Sequence, residues 1–188
     1  ACQKGTTNHQ GQKTGFDYIS DLGVNVVQLQ PVSDRHKDYD ENGELIYNWG
    51  YDPQSYFSLS GMYASDPSKP QARIEEFKQL IKAIHDQGMG VIMDVVYNHT
   101  AKTHIFEDIE PGYYHFMNAD GSPRESFGGG RLGTTHKMAR RVLVDSIKYW
   151  TDTFKVDGFR FDMMGDHDAE AIAQAYRAAS ALNPKVFM

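Results

Sequence analysis

Residues 156–162 read Val-Asp-Gly-Phe-Arg-Phe-Asp. The two-residue period of a strand turns Phe159 and Phe161 to one face and Arg160 and Asp162 to the other. A guanidinium and a carboxylate on one face of a short apolar strand must be paired, solvated or functional, because stripping unpaired charge of its water is costly. A structural ion pair at a strand end and a reactive carboxylate held by a cation both satisfy that rule. Two other places carry groups that could work with this pair. Asp94 is embedded in the apolar stretch 90–96 and is followed by Asn98 and His99. Tyr47, Trp49, Tyr51, Tyr56, Phe57 and Tyr63 crowd one stretch without helical spacing, and six aromatics in a loop cannot all be core. Carboxylates, a few polar donors and aromatic platforms suit a sugar site, which needs no cofactor. A divalent-metal hydrolase built from Asp94, His99 and Asp162 is the chemical alternative, although no His-x-x-x-His or comparable spacing supports it. Asn98 and His99 could equally cap a loop, and Trp49 and Tyr56 could pack within theirs. His136 and His167 read as polar caps at helix starts.

The frame for these groups follows from hydrophobic periodicity. Residues 1–13 are polar loop. A short helix comes next, with Phe16, Ile19 and Leu22 on one face and Gly23 as its stop. The β-branched run 24–32 reads as a buried strand ended by Pro31. Residues 33–70 form a long excursion in which Asp40-Glu41-Asn42-Gly43 is a hairpin tip. A helix is predicted over 68–87, opened by a Ser68-to-Gln71 capping box, closed by Gly88 and burying Ile74, Phe77, Leu80, Ile81 and Ile84. The strand 90–96 leads into a second irregular excursion, to about residue 135, with turn signals at Asp120-Gly121 and at 128–130. A helix over 137–154 aligns Leu143, Ile147, Trp150 and Phe154. After the strand 156–162, an Ala-rich helix over 168–182 turns Ile172, Tyr176 and Leu182 inward. Asn183-Pro184 ends it, and residues 185–188 read as the start of another strand.

This alternation argues for a parallel sheet covered by helices. A doubly wound open sheet and part of a (β/α)8 barrel both fit. No Gly-rich phosphate loop stands at any strand-to-helix turn. Asp94, Asn98, His99, Arg160 and Asp162 all fall at the carboxyl ends of strands, the face on which barrel enzymes build their sites, and that favours the barrel.

Composition narrows the partners. The 188 residues, 40% hydrophobic and 12% aromatic, suffice for one domain with a core. With 19 basic against 25 acidic residues and no basic run longer than Ala139-Arg140-Arg141, nucleic acid is not an expected partner. The single cysteine, Cys2, excludes an internal disulfide and a Cys-rich zinc site. No apolar run approaches the ~20 residues of a membrane span, and no charged-then-apolar signal opens the chain.

Asp94-Val-Val-Tyr-Asn-His99 resembles the first signature stretch of the α-amylase superfamily of glycoside hydrolases, and Gly158-Phe-Arg-Phe-Asp162 the second. Tyr47-Asn-Trp-Gly-Tyr-Asp-Pro53 is similar to the stretch that marks type I pullulanases, which cut α-1,6 branch links. Tyr113-Tyr-His-Phe-Met-Asn-Ala-Asp-Gly121 and Phe161-Asp-Met-Met-Gly-Asp-His167 resemble the same subfamily. Five short motifs in order over most of the chain make coincidence improbable. The resemblance implies that Asp162 is the nucleophile of a retaining mechanism, forming a covalent glycosyl-enzyme that water resolves. It implies that Arg160 holds this carboxylate charged and oriented, that His99 hydrogen-bonds the sugar at the cleavage subsite, and that Tyr51 stacks on it. Asp94 would hold Arg160 and the geometry of the site, with Trp49 a further substrate contact. In some relatives the asparagine matching Asn98 belongs to a calcium site, but the loop supplying its other ligands is short here, which leaves calcium open and no cofactor required.

The departures from the family pattern carry information as well. Retaining hydrolysis needs two carboxyl groups about 5 Å apart. The family's acid/base glutamate comes just after the strand that begins at Lys185, and no glutamate follows Glu170. Neither the later aspartate preceded by histidine nor the first barrel strand is matched. The expectation is a partial (β/α)8 barrel over residues 1–188, about half of it, with four helices and four parallel strands. It would lack the first strand and the C-terminal half, be inactive alone, and be completed by the rest of the catalytic module. The substrate implied is an α-glucan polysaccharide such as pullulan, starch or glycogen, and the location extracellular or at the cell surface. An endo-acting α-amylase on α-1,4 links and a non-catalytic α-glucan-binding fragment are the alternatives.

Overall fold

The computed structural model describes residues 3–188, so Cys2 and the reading of the lone cysteine lie outside the described residues. The chain runs α1 (Gly15–Asp21), β1 (Val26–Leu29), α2 (Pro70–Asp86), β2 (Gly90–Val95), α3 (His104–Glu107), β3 (Glu125–Ser126), β4 (Gly129–Gly130), α4 (Lys137–Phe154), β5 (Gly158–Phe161) and α5 (Ala169–Leu182). β2 lies at the centre of a parallel sheet ordered β1-β2-β5. It is suited to that place because Val91, Met93 and Val95 are buried, and a strand flanked on both sides reads as a nearly continuous apolar run. Its register sets Val27 beside Val91 on one side and Asp94 beside Arg160 on the other. Where the sequence reading starts a fourth strand at 185–188, the structure has a single parallel bridge beyond β5, Phe187 with Gly158. A Cβ on Gly158 would lie 2.6 Å from the Phe187 carbonyl oxygen, so only glycine lets this edge close.

Parallel neighbours need crossovers, and α2, α4 and α5 supply them. The core lies between these helices and the sheet. On α4, Leu143, Ile147, Trp150 and Phe154 follow the helical period and are buried. Phe77 of α2 meets Phe154 at 5.2 Å and Trp150 at 6.5 Å between ring centroids, which ties the two helices together. Each such side chain contributes about 1.5–3 kcal/mol by leaving water. α4 ends at Lys155, whose left-handed backbone (φ 59°) does the work a glycine usually does at a helix end.

Several boundaries and faces differ from the sequence reading. The run 24–32 is a strand only at Val26–Leu29, and Val24 and Val26 are exposed because β1 takes the outer place in the sheet. α2 begins at Pro70, whose fixed φ suits the first helical turn. Ser68 therefore stands outside the cap position, and its hydroxyl donates to Asp66 Oδ1 at 2.6 Å instead. Leu22 of the first helix is exposed, leaving Phe16 as that helix's buried residue. In α5 the buried face is Ala171, Ala175 and Ala179, while Tyr176 and Leu182 are exposed. Small residues face α4 because they let two helices approach closely, and the bulky ones are left outside. The excursion 100–135 is not irregular throughout: it folds the short helix α3 and the hairpin β3–β4, elements too short to leave a periodic signal. The Asp40–Gly43 tip is a turn, closed by a Tyr39–Leu45 bridge.

Candidate active site

The sheet register brings the charged residues together before any loop is considered. Asp94 and Arg160 are paired positions on β2 and β5. Arg160 Nη1 donates to Asp94 Oδ1 at 2.8 Å and Oδ2 at 3.1 Å, and to Asp162 Oδ1 at 3.0 Å. Tyr51 reaches in from its loop and donates its hydroxyl to Asp94 Oδ2 at 2.7 Å. Both oxygens of Asp94 are therefore engaged, and the residue is 3% exposed. Asp162 differs: its amide continues the ladder to the Val95 carbonyl at 2.9 Å, one carboxylate oxygen rests on Arg160, and its side chain lines an open cleft. The two carboxylates share one guanidinium, but only Asp162 is presented to a ligand.

The titrating groups are tuned by the same arrangement. The hydrogen bond that Arg160 donates to Asp94, with both carboxylates nearby, holds the Arg160 pKa above its ordinary value. Burial and the Asp94 contact push the Tyr51 phenol up to about 12, so it stays a donor. His99 is held below the usual imidazole value by burial, against the opposing pull of Asp162 and Asp52. Its Nδ1 faces the Asn98 side-chain amide at 3.0 Å. That amide donates, so Nδ1 accepts and the ring proton sits on Nε2, a buried nitrogen with no hydrogen-bond partner among the described residues. His99 is among the residues that line the cleft, and an unpartnered imidazole N–H there suits a hydroxyl oxygen.

The cleft has a volume of about 650 Å³ and is lined by Trp49, Tyr51, His99 and Asp162, with Gln30, Asn48, Asp52, Phe127 and Met163. Trp49 is 65% exposed. Tyr56 is core instead: its hydroxyl donates to the His99 carbonyl at 2.9 Å, and its own carbonyl accepts from Ser146 and Trp150. It thereby fixes the aromatic loop to β2 and α4. The Arg35 guanidinium, donating to the Asn48 carbonyl, holds the same loop from the other side. A second cleft of about 580 Å³ lies between residues 29–32, 59–65 and α2, away from the charged cluster.

Asn98 has a buried Oδ1 without a partner among the described residues, the kind of oxygen calcium takes. That ion takes six to eight oxygens. Among the described residues no group of three or more His, Cys, Asp or Glu could hold a metal. His136 stands at the start of α4 but bonds the Tyr113 carbonyl and not the helix amides. His167 does not cap α5. Asp168 does, accepting from the Ala171 amide, while both nitrogens of the buried His167 ring lack partners among the described residues.

Gln30, Asn48, Asp52, Phe127 and Met163 line the cleft in addition to the residues that the sequence points to. Asp52 lies within the quoted aromatic motif, Met163 directly follows Asp162, and Gln30 ends a strand run. Phe127 carried no signal beyond the neighbouring glycines.

The model of the alpha-amylase family, described as "Alpha amylase, catalytic domain", matches residues 3–119. The chain belongs to this family, whose fold is the (β/α)8 barrel; the strands and helices described above are a part of it. Its relatives narrow the likeness to pullulanases. Pullulanase A of Streptococcus pneumoniae serotype 2 (strain D39 / NCTC 7466) is 64% identical over 184 residues, covering 92% of this chain and 15% of that protein. The structure of the Group B Streptococcus pullulanase SAP in complex with maltotetraose superposes with a TM-score of 0.83 at 65% identity, over 92% of this chain and 24% of that one. The pullulanase of Anoxybacillus sp. LM18-11 complexed with maltotetraose gives a TM-score of 0.92 at 41% identity, over 100% of this chain and 28% of that one. The chain thus spans well under a third of each relative.

Proposed function

We propose that these residues are the nucleophile-bearing part of a pullulanase-type glycoside hydrolase that cleaves α-1,6-glucosidic links of pullulan, starch or glycogen with retention. The observation that carries the reading is Asp162, oriented by Arg160 and open to a cleft beside Tyr51 and His99. Names of relatives 64% and 41% identical point the same way. In this reading Asp162 attacks the anomeric carbon as the α-1,6 glycosidic C–O bond breaks, and Arg160 orients the carboxylate through its Oδ1. Asp94 holds Arg160 and Tyr51 in place. His99 donates Nε2–H to a sugar hydroxyl, and the Tyr51 ring faces the sugar. The acid/base carboxyl, which retention requires about 5 Å from the nucleophile, is assigned to the part of the barrel outside residues 1–188, in keeping with the share of the relatives that this chain spans. No step needs a cofactor. An extracellular or cell-surface location rests on the family resemblance alone.

Reducing-sugar release from pullulan is the test. Residues 1–188 alone should release none, and a chain joined to the remainder of the barrel should be active. Activity of that longer chain on linear amylose, with pullulan's α-1,6 links left intact, would replace this reading with an α-amylase. Glucan binding without any turnover would make it a binding module.

A further inference from the structure

Phe127 stands in a position that local backbone preference does not explain. β3 and β4 pair Ser126 with Gly129, so Phe127 and Gly128 form a two-residue hairpin turn, and both have positive φ, 51° and 82°. Turns of that kind favour Asn-Gly, because a bulky residue at positive φ is strained. Strain of this sort clusters at functional sites. Of the three non-glycine residues with positive φ among those described, Phe127 and Met163 both line the cleft beside Asp162, and the third, Lys155, ends a helix. The Phe127 ring is not held there by burial, being 69% exposed. It lies 5.5 Å from the His99 ring, between centroids.

The hairpin that carries the ring is anchored on two sides. The Thr100 amide donates to the Gly130 carbonyl at 3.0 Å. A side chain at Gly129 would overlap the Thr100 carbonyl, and one at Gly130 the His115 ring. His115 is itself fixed between Glu107 (2.8 Å) and Thr100 (3.1 Å). On the other side Arg131 donates to the Asp166 carbonyl at 3.1 Å, in the turn that follows Asp162. The result is an exposed aromatic face on a rigid mount, beside the His99 ring.

We propose that Phe127 is an aromatic platform for a glucosyl ring of the bound α-glucan and so a determinant of substrate affinity, an inference that rests on the function proposed above. Glucose rings have apolar C–H faces, and a flat ring beside hydrogen-bonding groups recognises them.

The test uses the full polypeptide, with whatever precedes and follows residues 1–188, and compares Phe127→Ala, Phe127→Asn and Phe127→Trp with wild type. Maltotetraose binding is read by calorimetry, KM and kcat on pullulan, and Tm by thermal melts. Ala and Asn should weaken maltotetraose binding and raise KM about three- to tenfold, with kcat within about twofold of wild type. Trp should restore affinity, and Asn, which tolerates positive φ, should not lower Tm. Wild-type affinity in Phe127→Ala, or a loss that Trp fails to restore, overturns the platform alone. A wild-type protein that neither binds maltotetraose nor cleaves pullulan overturns the underlying reading and this one with it.

Discussion

The floor and the rim of the cleft are built by different means. The floor is Asp94, Arg160 and Asp162, carried by adjacent strands whose register alone sets the first two side by side. Its hydrogen bonds are short and shared, and Asp94 has no oxygen left over. The rim is Trp49 and Phe127, exposed rings on loops that are themselves tethered from behind by Arg35, Tyr56 and His115. A ladder places charge with no freedom to adapt, as a reacting carboxylate requires. Exposed aromatic faces on tethered loops offer flat apolar surface and carry no reacting group. Changes on the floor should therefore fall on kcat, and changes at the rim on KM.

The largest effect should come from Asp162→Asn in the full polypeptide, with kcat on pullulan reduced about 10⁴-fold or more and maltotetraose binding kept. Retained turnover would remove Asp162 from its proposed role and dissolve the distinction between floor and rim. Asp94→Asn comes next. Without the charge that positions Arg160, kcat should fall about 10²-fold. Thermal melts should show a loss of about 2 kcal/mol, less than for a fully buried pair because Arg160 is partly solvated. A change in KM alone would place Asp94 among the binding groups.

His167 tests whether the floor depends on its backing. Burial pushes its pKa down from 6.5 to about 4, with Arg131 adding to the effect and Asp166 opposing it. The unfolded chain takes up this proton near pH 6.5 and the folded protein only near 4. Stability is therefore whole above 6.5, falls as pH drops between the two values, and levels off below, by about 3 kcal/mol at most. His167→Phe, in contact with Phe161, should flatten that part of the Tm–pH curve, and an unchanged curve would show that other groups carry acid sensitivity. The smallest effect belongs to Trp49→Ala, with KM up about threefold and Tm unaltered. A fall in kcat there would tie the rim to the chemical step.

Much of this was legible in the sequence for a physical reason. The alternation of Phe159, Arg160, Phe161 and Asp162 is a local property of a strand, so the face of each side chain follows from the period of two. The 137–154 helix was read to the residue because four large apolar side chains mark its face. α5 was misread because its buried face is alanine, and nothing in an Ala-rich helix says that bulky Tyr176 and Leu182 are the ones left outside. The valines of the run 24–32 imply burial, while the place of β1 at the edge of the sheet belongs to topology. Ser68 fitted a capping pattern that Pro70 overrode.

The sequence by itself determined the βα alternation, the charged strand ends and the aromatic loop, since each follows from chemistry within a few residues. Only the tertiary structure decided that Asp94 and Asp162 share Arg160 while one is saturated and the other open, because that depends on the register between strands 66 residues apart in the chain. It also decided that Tyr56 is core and Trp49 rim, and that Phe127 reaches the cleft. A loop aromatic has no period to announce its partner, and its role is set by what the fold brings against it.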